Sequence, residues 1–129
     1  MLELNTININ NIPEQIGIYK IFVKNEQLEL IQISRFCNQD PMGLLYIGRT
    51  DKQNLKVRLY QFYASAHAEM ETHNHSGGQK YFKNETIRNY LNSHSLWFEY
   101  EIVNTPRERE EELLNEYANI YGEYPPLNR

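Results

Sequence analysis

The spacing of apolar positions shifts along the chain, and each shift marks an element. Gly17-Ile18-Tyr19-Lys20-Ile21-Phe22-Val23 is dense in β-branched and aromatic residues after Pro13 and reads as a strand. Leu28 and Leu30 flank Glu29, then Ile31 and Ile33 flank Gln32, so the alternation slips phase once, as in a bulged or doubly covered strand. The turn signal Asp40-Pro41-Met42-Gly43 precedes a further strand, Leu44-Leu45-Tyr46-Ile47-Gly48-Arg49. Together these runs predict an antiparallel meander. From Asn54 the period lengthens: Leu55, Leu59, Phe62 and Ala66 share a helical stripe, which gives way to the polar stretch ending in His75-Ser76-Gly77-Gly78. Residues 84–92 predict a short helix carrying Ile87 and Leu91, and residues 96–103 the last strand. Thr105 as cap, Pro106 at the first helical position, acid in the early turns and Gly122 after the end delimit a final helix.

The 129 residues fit one domain, 1–129, with a single core. No apolar run is long enough to cross a bilayer. The start, Met1-Leu2-Glu3-Leu4-Asn5, lacks the basic and apolar regions of a signal peptide, so a cytoplasmic protein without a membrane partner is expected. The single Cys37 suits a reducing compartment and is expected as a small, partly buried thiol. His67, His73 and His75 with Cys37 match no common zinc spacing. A net charge of −4 weighs against binding nucleic acid through bulk electrostatics. The charge is uneven, however: between 47 and 90 the chain is +3, and much of the acid lies between 108 and 123. A cleft built from the middle segment would favour a polyanion despite the overall sign; scattered, solvated charges are the equal alternative.

On the final helix the stripe Leu113, Leu114, Tyr117, Ile120, Tyr121 puts Glu110 on its centre line and Glu116 at its border. A carboxylate on a packed side needs a partner, and a hard divalent cation is one. An ordinary solvated acid is the other reading for both.

Taken in chain order, Gly17-Ile18-Tyr19, Tyr46-Ile47-Gly48, Asn54-Leu55-Lys56-Val57-Arg58, Glu116-Tyr117-Ala118-Asn119-Ile120 and Tyr124-Pro125-Pro126-Leu127-Asn128 resemble the successive motifs of the GIY-YIG nuclease family. The resemblance runs from Gly17 to Asn128. It implies an α+β fold, a small mainly antiparallel sheet flanked by helices, and metal-dependent hydrolysis of DNA phosphodiester bonds. It implies Glu116 as the ligand of Mg²⁺ or Mn²⁺, by its distance to Pro125 and Asn128, with Glu110, followed by the apolar pair Leu113-Leu114, second. Arg58 would grip the phosphate with a planar fork. Tyr19 would be the base, its phenol acidified by Arg49 or Arg58. Tyr46 would position water or phosphate, and Asn128 would fix the closing segment or the glutamate by hydrogen bonding. Gly48, Arg49, Lys56 and His75 would contact the substrate.

The chain departs from the family pattern in two places. Residues 25–42 separate the tyrosine motifs, which a short hairpin normally joins; an inserted strand or longer hairpin is expected there. Phe62 stands where members carry a histidine or tyrosine, and it cannot exchange a proton; Tyr60, Tyr63 and His67 are candidate substitutes. A nonenzymatic module of the same fold, binding nucleic acid or protein, is the alternative function. Target choice would come from loops, a homodimer or a separate partner.

Overall fold

An apolar run with little alternation is stable as a strand only if both faces are covered. Strand β2 (Gly17–Lys24) meets that condition at the centre of the molecule. Other strands are β1 (Leu2–Glu3), β3 (Ile33–Ser34), β4 (Gln39–Asp40), β5 (Leu44–Arg49) and β6 (Ser95–Ile102). Among the described residues the helices are α1 (Thr6–Asn10), α2 (Leu55–His67), α3 (Glu85–Tyr90) and α4 (Pro106–Tyr121). The structure, a computed structural model, describes residues 1–67, 85–90 and 93–128. The chain is α+β, with a four-stranded antiparallel sheet in the order β1-β6-β2-β5.

Tyr19, Ile21 and Val23 face one side of the sheet and pack with Ile9 of α1 and with Leu55, Leu59, Phe62 and Ala66 of α2. All four residues of the predicted α2 stripe are buried. Ile18 and Phe22 face the other side with Leu44, Ile47 and, from α4, Leu113 and Tyr117. Burying each such large apolar side chain is worth about 1.5–3 kcal/mol, so the two helices clamp β2 from both faces. The register between β2 and β5 shifts after Ile21, which pairs with Tyr46 while Phe22 pairs with Leu44. Leu45 is the extra residue, so both Leu45 and Tyr46 join the α2-side cluster.

The run 28–33 does not enter the central sheet as a strand. Asn25 Oδ1 accepts from the amides of Gln27 and Glu29, each at 2.9 Å, and turns the chain immediately after β2. Leu28 then adopts φ 61°, and Leu30 makes only an isolated bridge to Lys24. The insertion instead forms a small hairpin, β3 with β4. Its tip docks on the end of α4, where the Cys37 amide donates to the Tyr121 carbonyl at 2.9 Å and Arg35 pairs with Glu123 at 2.8 Å. Cys37 is exposed rather than partly buried, because it belongs to this tip. Gly122 caps α4 at φ 79°, as predicted; Thr105 occupies the N-cap without a side-chain cap bond. Ile120 is exposed, unlike the rest of its expected stripe, because α4 faces the sheet through Leu113 and Tyr117.

The buried Asp40 joins hairpin, strand and helix: it accepts from the amides of Met42 and Leu44 and from the Tyr117 hydroxyl at 2.8 Å. The closing segment lies along the outer side of β5. Leu127 donates its amide to the Leu45 carbonyl at 2.9 Å, and the Asn128 carboxamide both donates to and accepts from the Ile47 backbone at 2.9 Å.

Candidate active site

The two tyrosine motifs lie side by side. Tyr19 is opposite Gly48 in the β2–β5 ladder, and the Tyr19 and Tyr46 ring centroids are 6.1 Å apart at 45°. A Cβ on Gly48 would sit 2.5 Å from the Tyr19 hydroxyl oxygen and 2.7 Å from the Tyr46 ring. Glycine is therefore required at this position by the two rings crossing it. Gly17 is likewise backed by the Glu101 carbonyl, where any Cβ would collide.

Tyr19 has no exposed surface. Burial, then the neighbouring Tyr46, holds its phenol well above the usual tyrosine value; the Arg58 charge and hydrogen bond pull it down but do not prevail. The expected acidification of Tyr19 by arginine is thus outweighed by desolvation. Its hydroxyl instead receives a hydrogen bond from the Arg58 guanidinium, which also donates to Gln61 Oε1 at 2.7 Å. A planar cation held from two sides presents a defined fork.

In front of this pair is a cavity of about 480 Å³ lined by Tyr46, Arg49, Asp51, Lys52, Gln53, Arg58 and Glu110. It lies where β5 runs into the turn that leads to α2. That turn is tied to the start of β2 by Thr50, whose amide donates to the Gly17 carbonyl at 2.9 Å and whose Oγ1 accepts from the Gly17 amide at 3.0 Å. Arg49 Nε donates to Glu110 Oε1 at 3.2 Å, joining β5 to α4. Burial pushes the Glu110 carboxyl up, and the Arg49 charge and hydrogen bond only partly offset it.

The sequence candidates are brought together unequally. Tyr19, Tyr46, Arg49 and Arg58 converge, and Asn128 fixes the closing segment to β5. Glu116 does not join them: it is exposed, and its charge acts on Arg109, which pairs with Glu101 at 2.8 Å. The reason is helical phase. Glu110 and Tyr117, two turns apart, share the inward face, whereas Glu116 is rotated about 100° from Tyr117. Glu110, second in the sequence reading, is the α4 carboxylate that lines the cavity, where Asp51 is the other acid. Lys56 pairs with Glu14 at 3.5 Å and does not line the cavity. His75 lies outside the described residues, as does the side chain of His67. Phe62 is fully buried, its ring centroid 5.7 Å from that of Tyr46, so it supports the tyrosine from behind. Tyr60 and Tyr63 are partly buried against the same core. Asp51, Lys52 and Gln53 were not singled out. The signal available for them was the basic turn after Tyr46-Ile47-Gly48; for Glu110 it was the Leu113-Leu114 pair.

Comparison with known protein-family models, with curated proteins and with solved structures finds no match.

Proposed function

We propose that this chain is a metal-dependent endonuclease that hydrolyses DNA phosphodiester bonds, as its resemblance to the GIY-YIG nucleases implies. The observation that carries the reading is the convergence of Tyr46 and Arg49 from β5, Arg58 from α2 and the sequence-distant Glu110 from α4 on one cavity with Tyr19 behind it. Its lining has three cations, Arg49, Lys52 and Arg58, against two acids, Asp51 and Glu110, which favours an anion in an otherwise acidic chain.

In this reading Arg58, braced by Tyr19 and Gln61, grips the nonbridging oxygens of the scissile phosphate, and Arg49 and Lys52 attract the flanking backbone. Tyr46 lines the cavity and orients the attacking water through its phenol oxygen, and the water's proton passes to solvent. Tyr19, fully buried, acts through Arg58. The donor set fits a hard divalent cation. Glu110 and Asp51 supply hard carboxylate oxygens to the cavity lining, although among the described residues no group of three or more His, Cys, Asp or Glu side chains could hold an ion. Mg²⁺ or Mn²⁺ would accordingly rest on Glu110, water and the substrate phosphate, which is how Mg²⁺ is commonly bound. When bound, the ion supplies positive charge for the developing phosphorane and the leaving oxygen.

A second reading is a binding module without catalysis. It is favoured by Phe62, a fully buried phenyl ring that offers no exchangeable proton where members of the resembled family carry a histidine or tyrosine. One assay separates the two: supercoiled plasmid, branched duplex and RNA incubated with the protein in Mg²⁺, Mn²⁺ or chelator, beside Glu110→Gln and Tyr46→Phe. The nuclease reading expects cation-dependent DNA cleavage that both substitutions strongly reduce. Cleavage by neither metal form of the native chain, with DNA binding intact, would establish the module instead.

A further inference from the structure

Within the cavity Glu110 is ion-paired, and its partner is Arg49, itself a candidate phosphate contact. The pair is not a solvated surface contact: the side chains are 30% and 20% exposed, and the Nε to Oε1 distance is 3.2 Å. A divalent cation at Glu110 would face a guanidinium in hydrogen-bond contact with the same carboxylate, and like charges at that range repel strongly in a partly desolvated site. A phosphate at Arg49, conversely, would face the Glu110 anion. Each ligand is opposed by the resting pair, and each relieves the obstacle to the other.

Resting on the nuclease reading above, we propose that Arg49 and Glu110 form a latch that couples the two ligands: a DNA phosphate that draws Arg49 away frees Glu110 for the cation, and the cation on Glu110 frees Arg49 for phosphate. The coupling is reciprocal by thermodynamic necessity. It keeps the DNA-free protein poor in bound metal and confines the loaded site to the complex with DNA. The hydrogen bond comes from β5 and the carboxylate from α4, so opening the latch needs only side-chain rotation about two packed elements. Arg58 is the internal control, since it lines the same cavity but is held by Tyr19 and Gln61.

The test is Mn²⁺ affinity of the DNA-free protein, read by electron paramagnetic resonance of free Mn²⁺ and independent of cleavage. Arg49→Gln is expected to bind Mn²⁺ roughly tenfold more tightly than the native chain, within the usual range of coupling between sites. Arg58→Gln is expected to change the affinity by much less, and Glu110→Gln to abolish specific binding. In chelator, Glu110→Gln is expected to tighten binding of a short DNA duplex more than Asp51→Asn, which removes the same charge from the same cavity. Equal effects of Arg49→Gln and Arg58→Gln would assign the change to the general field of the cavity and overturn the latch. Unchanged Mn²⁺ affinity in Arg49→Gln, with binding lost in Glu110→Gln, would overturn the latch and leave the nuclease reading standing. Unchanged binding in Glu110→Gln would remove Glu110 as the metal ligand and overturn both the latch and that part of the proposed function. Circular dichroism checks folding, and Arg49→Met, which keeps the apolar stem, repeats the comparison should Arg49→Gln misfold.

Discussion

Among the described residues, two arginine–carboxylate clusters join helix α4 to the central sheet. At one, Glu110 meets Arg49 beside a cavity of about 480 Å³; at the other, Arg109 meets Glu101 beside a cavity of about 170 Å³ lined by Ile18, Lys20, Glu99, Tyr100, Glu101 and Arg109. The residue types are nearly the same, yet the surroundings differ. The smaller cavity balances Lys20 and Arg109 with Glu99 and Glu101, so its charges close on one another. The larger one keeps an excess cation and is backed by a buried tyrosine that holds Arg58 in place. A reactive site needs charge left over for a ligand and a rigid support behind it, and an arginine beside a glutamate supplies neither alone.

The strongest way to break the comparison is to exchange its carboxylates. Under the proposed nuclease function, Glu110→Gln should lower DNA cleavage about 10²–10³-fold, the cost typical of losing one charge-stabilising group, while Glu116→Gln should stay within about twofold. Single-turnover rates on a plasmid substrate check this, and the reverse ranking would return the metal to Glu116. Support for the larger cavity is tested next by Gly48→Ala, whose methyl would collide with both tyrosine rings. A destabilisation of about 1–3 kcal/mol in urea is expected, as for other overpacked sites. An unchanged midpoint would show that the rings have room to move.

Asn128→Ala removes the two hydrogen bonds to Ile47 and should cost about 1–3 kcal/mol, since backbone groups beside β5 lose their partner. Tyr117→Phe removes one bond from Asp40, which keeps two others, and should cost about 1 kcal/mol. A larger loss in Tyr117→Phe would mean that the hairpin anchor, rather than the closing segment, holds α4 and β5 together.

Alkaline stability compares the two faces of the sheet. Burial raises the phenols of Tyr19 on the α2 side and of Tyr117 on the α4 side. The folded chain therefore holds protons that the unfolded chain releases above about pH 10, so stability is full below that pH and falls as pH rises further. Urea midpoints across this range should decline for the native chain, and Tyr19→Phe or Tyr117→Phe should each flatten the slope; a native midpoint insensitive to alkali would contradict the burial of both phenols. The smallest effect belongs to Arg109→Ala, whose pairs are partly solvated and whose loss should change stability by under about 1 kcal/mol and leave cleavage intact.

The elements with strong periodicity could be read from the chain. Leu55, Leu59, Phe62 and Ala66 lie in the core as their spacing requires, β5 spans its predicted residues, and Pro106 and Gly122 bound α4. The run 28–33 was misread because its alternation is real but the preceding Asn25 turns the backbone, a side-chain effect that apolar spacing does not record. The short α1 and β1 carry too few residues for a period to show. At the site, the tyrosines and Arg58 were visible as motifs. The choice of Glu116 followed a spacing to Asn128, whereas contact with Arg49 depends on which face of α4 meets the sheet, and that face is chosen by Leu113 and Tyr117 packing on Ile18, Phe22, Leu44 and Ile47. The sign of the Tyr19 shift was missed for a related cause: neighbouring arginines are named in the sequence, but the depth of burial is not.

The Asn128 carboxamide stands in for one peptide unit of a neighbouring strand beside Ile47. Where such a surrogate occupies the rim of a sheet, another polypeptide cannot add itself there, so the same side chain that secures the chain's tail also discourages fibrous self-assembly. Losing it would convert an individual molecule's weakness into a collective one, with turbidity that grows steeply with protein concentration.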